Sequence, residues 1–248
     1  MKILRFTLSG RQAFFKRPDV NTFFYFTYGH IHKVALLGMF GALLGYSGYA
    51  AMNERDMYPE FYERLQNIKA AIVPLADKGS FLKKVICFNN SVGYASKEQG
   101  GNLVVKQQWL ENPAWNIYVR IEDEESKKIA DALLNHKCVY MPYLGSNDHP
   151  ADITNVRMLD GEKITDAKHI DSFCPKELIQ VELDDFDQDN PYKYEEKLPF
   201  GLDKEMNQYI LKKFILSNME IISCSADVYK ITDELREGID KHMNIVFC

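Results

Sequence analysis

Lys33-Val-Ala-Leu-Leu-Gly-Met-Phe-Gly-Ala-Leu-Leu-Gly45 decides the fold, together with Lys2-Ile-Leu-Arg-Phe-Thr-Leu-Ser9 and Gly10-Arg-Gln-Ala-Phe-Phe-Lys-Arg-Pro18 before it. The first of these is an apolar helix. The second alternates as a strand, and the third is a basic, aromatic loop. Gly38, Gly41, Gly45 and Gly48 recur at spacings that put them on one helical stripe. Each helical glycine costs up to about 1 kcal/mol relative to alanine. Such a stripe therefore needs a reason, and the simplest is close packing of the helix backbone against a sheet. Strand, basic loop and glycine-striped helix together predict a platform for a phosphate backbone.

Outward from this stretch, composition sets limits. The chain has 248 residues, 46% hydrophobic and 26% charged, with a net charge of −5. That is the profile of a globular protein rather than a freely acting nucleic-acid binder with a broadly basic surface. Charge is unevenly spread. Up to Gly45, Lys2, Arg5, Arg11, Lys16, Arg17 and Lys33 face only Asp19, whereas Glu182, Asp184, Asp185, Asp187 and Asp189 form an acidic run. One basic face and one acidic region suit a subunit that meets RNA on one side; solvated charge scattered without function would give the same counts. Five cysteines without a C-x-x-C pair support neither a zinc site nor a redox motif. With no secretory signal, the expected compartment is the cytoplasm. Val34 to Asn53 is uncharged, but its glycines and polar residues make it a poor membrane span, and no membrane association is expected.

Further along, Arg55 to Val73 has the spacing of a helix ended by Pro74, and Phe81 to Phe88 that of a strand. Asn89 to Gly101 is a polar insertion, left through Leu103 to Trp109. Trp115 to Ile121 alternates as a strand, and Ser126 to His136 is a helix opened by the acids Glu122 to Glu125. Beyond Ala151 come short strands at Thr154–Leu159, Leu178–Leu183, Met219–Cys224 and Asp227–Ile231, with a helix expected over Leu202–Leu216. The predicted class is α+β: a ferredoxin-like or RRM-like unit over 1–150, with an insertion at about 89–108, and a smaller β-rich domain over 151–248.

Four blocks in order carry a resemblance: Ala13-Phe-Phe-Lys-Arg-Pro18, Lys33-Val-Ala-Leu-Leu-Gly-Met-Phe-Gly-Ala42, Leu110-Glu-Asn-Pro-Ala-Trp-Asn-Ile-Tyr-Val119 and Pro142-Tyr-Leu-Gly-Ser-Asn-Asp-His-Pro-Ala151. Together they resemble the Cas-five family, CRISPR-associated proteins of the RAMP superfamily. The Ile31-His-Lys33 lead-in looks most like the type I-B branch. The resemblance implies a Cascade subunit that grips the 5′ handle of crRNA and caps the backbone filament. Its partners would be the backbone and large subunits and, indirectly, target DNA. It implies no cofactor and no metal, and makes the insertion the family's thumb, packed against guide RNA.

The expected RNA contacts are Arg11, Gln12, Phe14, Lys16, Arg17, Lys33, Lys106, Gln107, Trp109, Gly145 and Arg157. Lys16 and Arg17 offer charge for phosphates, and Phe14 and Phe15 offer rings for stacking; the same residues also suit a core pair beside solvated charges. Lys33 would add to the field of a helix N-terminus. Gly145 resembles the family's glycine loop near the RNA backbone, though an unliganded tight turn uses the same residues. The acidic run lacks the glycine and terminal glutamate of a calcium loop. His30 and His32 fall on one side of an extended segment, without a carboxylate or cysteine to complete a metal site.

The competing function is metal-independent cleavage of precursor crRNA, which needs a general base and a cation or acid. Processing relatives carry a lysine–histidine pair where this chain has Lys106-Gln107, and glutamine cannot exchange a proton near neutral pH. His30 or His32 would have to substitute. No Walker loop, nucleophile elbow or H-E-x-x-H points to a small-molecule enzyme.

Overall fold

The computed structural model describes all residues except 21–22, 90, 95–96, 100, 183–189 and 235–239. The acidic aspartates 184, 185, 187 and 189 thus lie outside the described residues. In chain order the elements are β1 (Lys2–Ser9), β2 (Gln12–Ala13), β3 (Phe24–Tyr25), α1 (Lys33–Leu44), α2 (Glu60–Leu65), β4 (Ala70–Pro74), β5 (Lys83–Asn89), β6 (Val104–Glu111), β7 (Ala114–Arg120) and α3 (Glu124–Leu134). There follow β8 (Asp152–Ile164), β9 (Ile170–Pro175), β10 (Ile179–Val181), β11 (Lys193–Leu202), β12 (Tyr209–Ser217), β13 (Ile221–Cys224), β14 (Val228–Glu234) and β15 (Asp240–Val246). The class is mixed α and β, as the sequence predicts.

One sheet organises the chain, in the order β15-β14-β8-β1-β7-β4 with antiparallel neighbours throughout. Its β1 alternates as a strand with two buried faces must. Leu4, Phe6 and Leu8 join the cluster that contains Leu36, Leu37 and Phe40 of α1 and Ile129 and Leu133 of α3. Ile3 points to the other face, with Tyr118, Tyr229, Ile231 and Met243. The sheet nearly closes, because Ala70 and Cys248 exchange backbone hydrogen bonds of 3.2 and 3.0 Å. The main core also takes in Phe173, Leu198, Phe214 and Leu216, so apolar packing runs across position 150. A second small sheet sets β6 between β5 on one side and β2 and β3 on the other.

Three sequence expectations are corrected. The helix expected over Arg55–Val73 is helical only at Glu60–Leu65, and Ala70–Pro74 pairs with β7 instead. The helix expected over Leu202–Leu216 is instead the end of β11, a turn and the strand β12, which is held between β11 and β9. The glycine stripe does not lie on a sheet. Gly41 and Gly38 face Phe61 of α2, Gly45 ends α1 with φ +81°, and Gly48 falls beyond the helix with open space around its α-carbon. Left-handed backbone at the residue after a helix is what glycine supplies.

Candidate nucleic-acid interface

A groove of about 730 Å³ runs along one side of α1. Ala35, Gly38 and Ala42 form its floor, one helical turn apart, and their lack of bulk is what leaves the space. Tyrosines from distant parts of the chain line it: Tyr46, Tyr49, Tyr140, Tyr143 and Tyr209. Burial raises the pKa of Tyr49 to about 12 and also raises that of Tyr209, so both stay neutral phenols with a ring for stacking and a hydroxyl to donate. Among the described residues, Lys16 is the one lysine or arginine that lines the groove. An aromatic slot with one cation at its rim suits a strand whose bases stack while a phosphate meets the ammonium.

The basic loop reaches the rim through a short hairpin: Tyr28 N donates to Phe15 O at 2.8 Å, and Arg17 N to Phe26 O at 2.9 Å. Lys16 is exposed, its ammonium 4.2 Å from the centre of the Tyr25 ring. Arg17 is held by Asp19, with hydrogen bonds of 2.8 and 3.2 Å, and that carboxylate raises its pKa. Phe14 and Phe15 take the core alternative. They are 6% and 3% exposed, with Phe15 packed edge-on against His32 and Trp115, so the expected stacking by Phe14 is corrected. The exposed rings here are instead Phe23, at 89%, and Phe26, whose centroid lies 4.6 Å from that of the half-buried Phe24. They belong to the Phe/Tyr-rich stretch after the loop, and the run of aromatics itself was the signal.

Gly145 turns the chain at φ +84° against the basic loop. Phe14 N donates to Leu144 O at 3.0 Å, and a β-carbon at 145 would overlap the Phe14 carbonyl. Its close approach is thus to this chain's own backbone, at the edge of the groove. Beyond it lies the hairpin of β5 and β6. Strand β3 pairs in parallel with β6, setting Phe24 beside Lys106 and Tyr25 beside Gln107. Trp109 Nε1 donates to Gln107 Oε1 at 2.8 Å, and its ring stands edge-on to His149 at 4.5 Å. Arg11 is exposed and Gln12 half-buried where β2 meets the end of β6.

Two expected contacts lie elsewhere. Lys33 opens α1 but is turned away from the groove, with its ammonium 4.8 Å from the centre of Phe200. Arg157 sits opposite Arg5 in the β8–β1 register, on the sheet face away from α1. His30 and His32 are buried. His30 Nε2 donates to the Gly79 carbonyl at 2.8 Å, and its Nδ1 accepts from Trp115 Nε1 at 3.2 Å. His32 caps α1, its Nδ1 accepting from Ala35 N at 3.2 Å. Burial pushes both down to about 3, which leaves them neutral near pH 7. Among the described residues no group of three or more His, Cys, Asp or Glu is placed to hold a metal ion. No helix among them is long and apolar enough to cross a membrane.

No protein-family profile and no curated protein matches the sequence. Solved structures do. A chain of a CRISPR RNA-guided surveillance complex superposes with a TM-score of 0.55 at 15% identity, over 88% of this chain and 90% of that one. A CRISPR protein from Archaeoglobus fulgidus gives 0.44 at 11% identity over 99% of both chains. A further Cas protein gives 0.43 at 12% identity, over 90% and 95%. The last two overlaps are too loose to add weight; on the first, this chain has the fold of a CRISPR surveillance-complex chain.

Proposed function

We propose that this protein is a Cas-five-like, RNA-binding and non-catalytic subunit of a type I Cascade complex, close to the type I-B branch. It grips the 5′ handle of crRNA and caps the backbone filament, in contact with the backbone and large subunits. The observation that carries this is the tyrosine-lined groove, rimmed by Lys16 and the Gly145 turn and flanked by the β5–β6 hairpin. The likeness to a surveillance-complex chain supports it. So does the order β8-β1-β7-β4 with helices between, which is that of a ferredoxin-like unit. Gln107 beside Lys106, and histidines buried as caps and core, favour binding over cleavage.

The test is a footprint of crRNA in the assembled complex, comparing wild type with Tyr140→Ala plus Tyr143→Ala. Both side chains are exposed, so the fold should survive their loss. Protection of the handle nucleotides should fall while protection of the spacer persists. Unchanged handle protection would overturn the assignment of the groove.

A further inference from the structure

Lys33 takes a place that the groove does not explain. Around a helix of 3.6 residues per turn it lies about half a turn from Ala35, Gly38 and Ala42. Its ammonium sits 4.8 Å from the centre of Phe200 on β11, and that of Lys212 on β12 sits 4.4 Å from the same ring. Lys69, just before β4, completes the cluster. Burial, and after it the Lys69 charge, are the main causes that bring Lys33 down to about 8, with Lys212 adding to them. Two groups act the other way: Glu177 stands 3.4 Å from Lys212, and Cys248, which shares a cleft with Lys33, raises its pKa. Among the described residues, no side-chain carboxylate makes an ion pair with Lys33 or Lys69.

Three like charges brought together by three separate segments work against folding unless an anion relieves them. The first turn of α1 contains no acidic residue. Its amide dipoles therefore add positive field at Lys33. Phe200 is half-buried and holds the Lys33 and Lys212 ammoniums against its ring. We propose that Lys33, Lys69, Lys212 and Phe200 form a second nucleic-acid contact, taking the phosphodiester backbone of a single strand on the side of α1 opposite the groove. It does not depend on the groove holding a crRNA handle. Lysine suits this role as a flexible point charge for phosphate oxygens. Glu177 limits the site by occupying Lys212.

The experiment is fluorescence anisotropy of the whole chain with short single-stranded DNA and RNA lacking any handle sequence, across a salt series. Lys69→Ala with Lys212→Ala should lower the slope of log K against log salt by about 1.4, or 0.7 for each lost contact. Glu177→Gln should tighten binding several-fold by freeing Lys212. Lys16→Ala in the groove should leave both effects in place. Wild-type affinity and slope in the double variant, with no gain in Glu177→Gln, would overturn the proposal. Pyrophosphate binding that never competes with the oligonucleotides would also overturn it, in favour of a small-anion site. Displacement by polyglutamate, with no binding to either nucleic acid, would indicate an acidic protein partner and would count equally against it.

Discussion

The carbonyl of Phe14 occupies the space that a side chain at Gly145 would need, its carbon 2.7 Å from where a β-carbon would stand. The glycine turn and the basic loop are thereby locked together, and the position of Lys16 at the groove's rim depends on residue 145 having no side chain.

Gly145→Ala should therefore disturb stability and RNA binding together. Its φ of +84° alone costs a non-glycine residue about 1–3 kcal/mol, before the backbone overlap is counted. Denaturant unfolding and crRNA binding would both be measured. A variant that binds and unfolds like wild type would remove the turn from the site.

Gly41→Ala and Gly38→Ala should part company. A β-carbon on Gly41 would overlap that of Phe61 and lie 3.3 Å from its Cγ, so overpacking of about 1–3 kcal/mol outweighs the gain in helix propensity. On Gly38 the nearest atom is Phe61 Cε2 at 3.9 Å, an ordinary contact, so alanine should stabilise by roughly 0.5–1 kcal/mol. Gly38 also floors the groove, and the more stable variant should bind RNA less well. Equal unfolding midpoints for the two would refute the packing account.

Lys16→Ala should weaken RNA assembly more than Arg17→Ala, and the pair together should flatten the salt dependence. Each lost phosphate contact on a single strand removes about 0.7 from the slope. Arg17 already spends its charge on Asp19, so its share should be the smaller. Assembly unchanged at every salt concentration in the double variant would dissociate this loop from RNA.

Acid should destabilise the fold through His30 and His32. Both have a folded-state pKa of about 3, against 6.5 for the free side chain, so below about pH 6.5 the unfolded chain takes up more protons. Stability should be steady above pH 7 and fall as pH drops from about 6.5 toward 3. Each histidine contributes roughly 1.4 kcal/mol per pH unit once titration of the unfolded chain is complete. Urea midpoints at pH 7.5 and pH 5 test this, and a flat profile would show that the rings are not held neutral.

Mixed with cognate repeat RNA in chelator, the protein alone should bind weakly and leave the RNA whole. Gln107 cannot shuttle protons, and His30 and His32 are buried. A cut at one repeat position, abolished by Lys106→Ala, would establish a nuclease.

Local pattern revealed the N-terminal half well. Alternation marked β1 and β7, and an apolar run closing on Gly45 marked α1. The acids before residue 126 marked α3, where Asp123 makes a capping box with Ser126. What stayed hidden was tertiary. Ala70–Pro74 has helical spacing relative to Phe61, yet β7 claims it. Phe214, Ile215 and Leu216 read as a helix segment because a strand buried on both faces does not alternate. The groove tyrosines lie near positions 46, 140 and 209, and only folding collects them. The sequence singled out Lys16 and Gly145, which fold together at the groove's edge; the outward turn of Lys33 and the placement of Arg157 across the sheet were not legible in it.

The central position of β1 has a consequence for biosynthesis. Its neighbours in the sheet are β7 and β8, both made long after it, and the edges meet only when Cys248 reaches Ala70. A nascent chain therefore carries Ile3, Leu4, Phe6 and Leu8 with no neighbouring strand until Arg120 has left the ribosome, and with only one until Ile164 has. Pairings that distant make folding slow and leave adhesive surface open meanwhile. Yield in the cell should therefore track chaperone supply and the pace of translation more closely than it tracks the final stability of the fold.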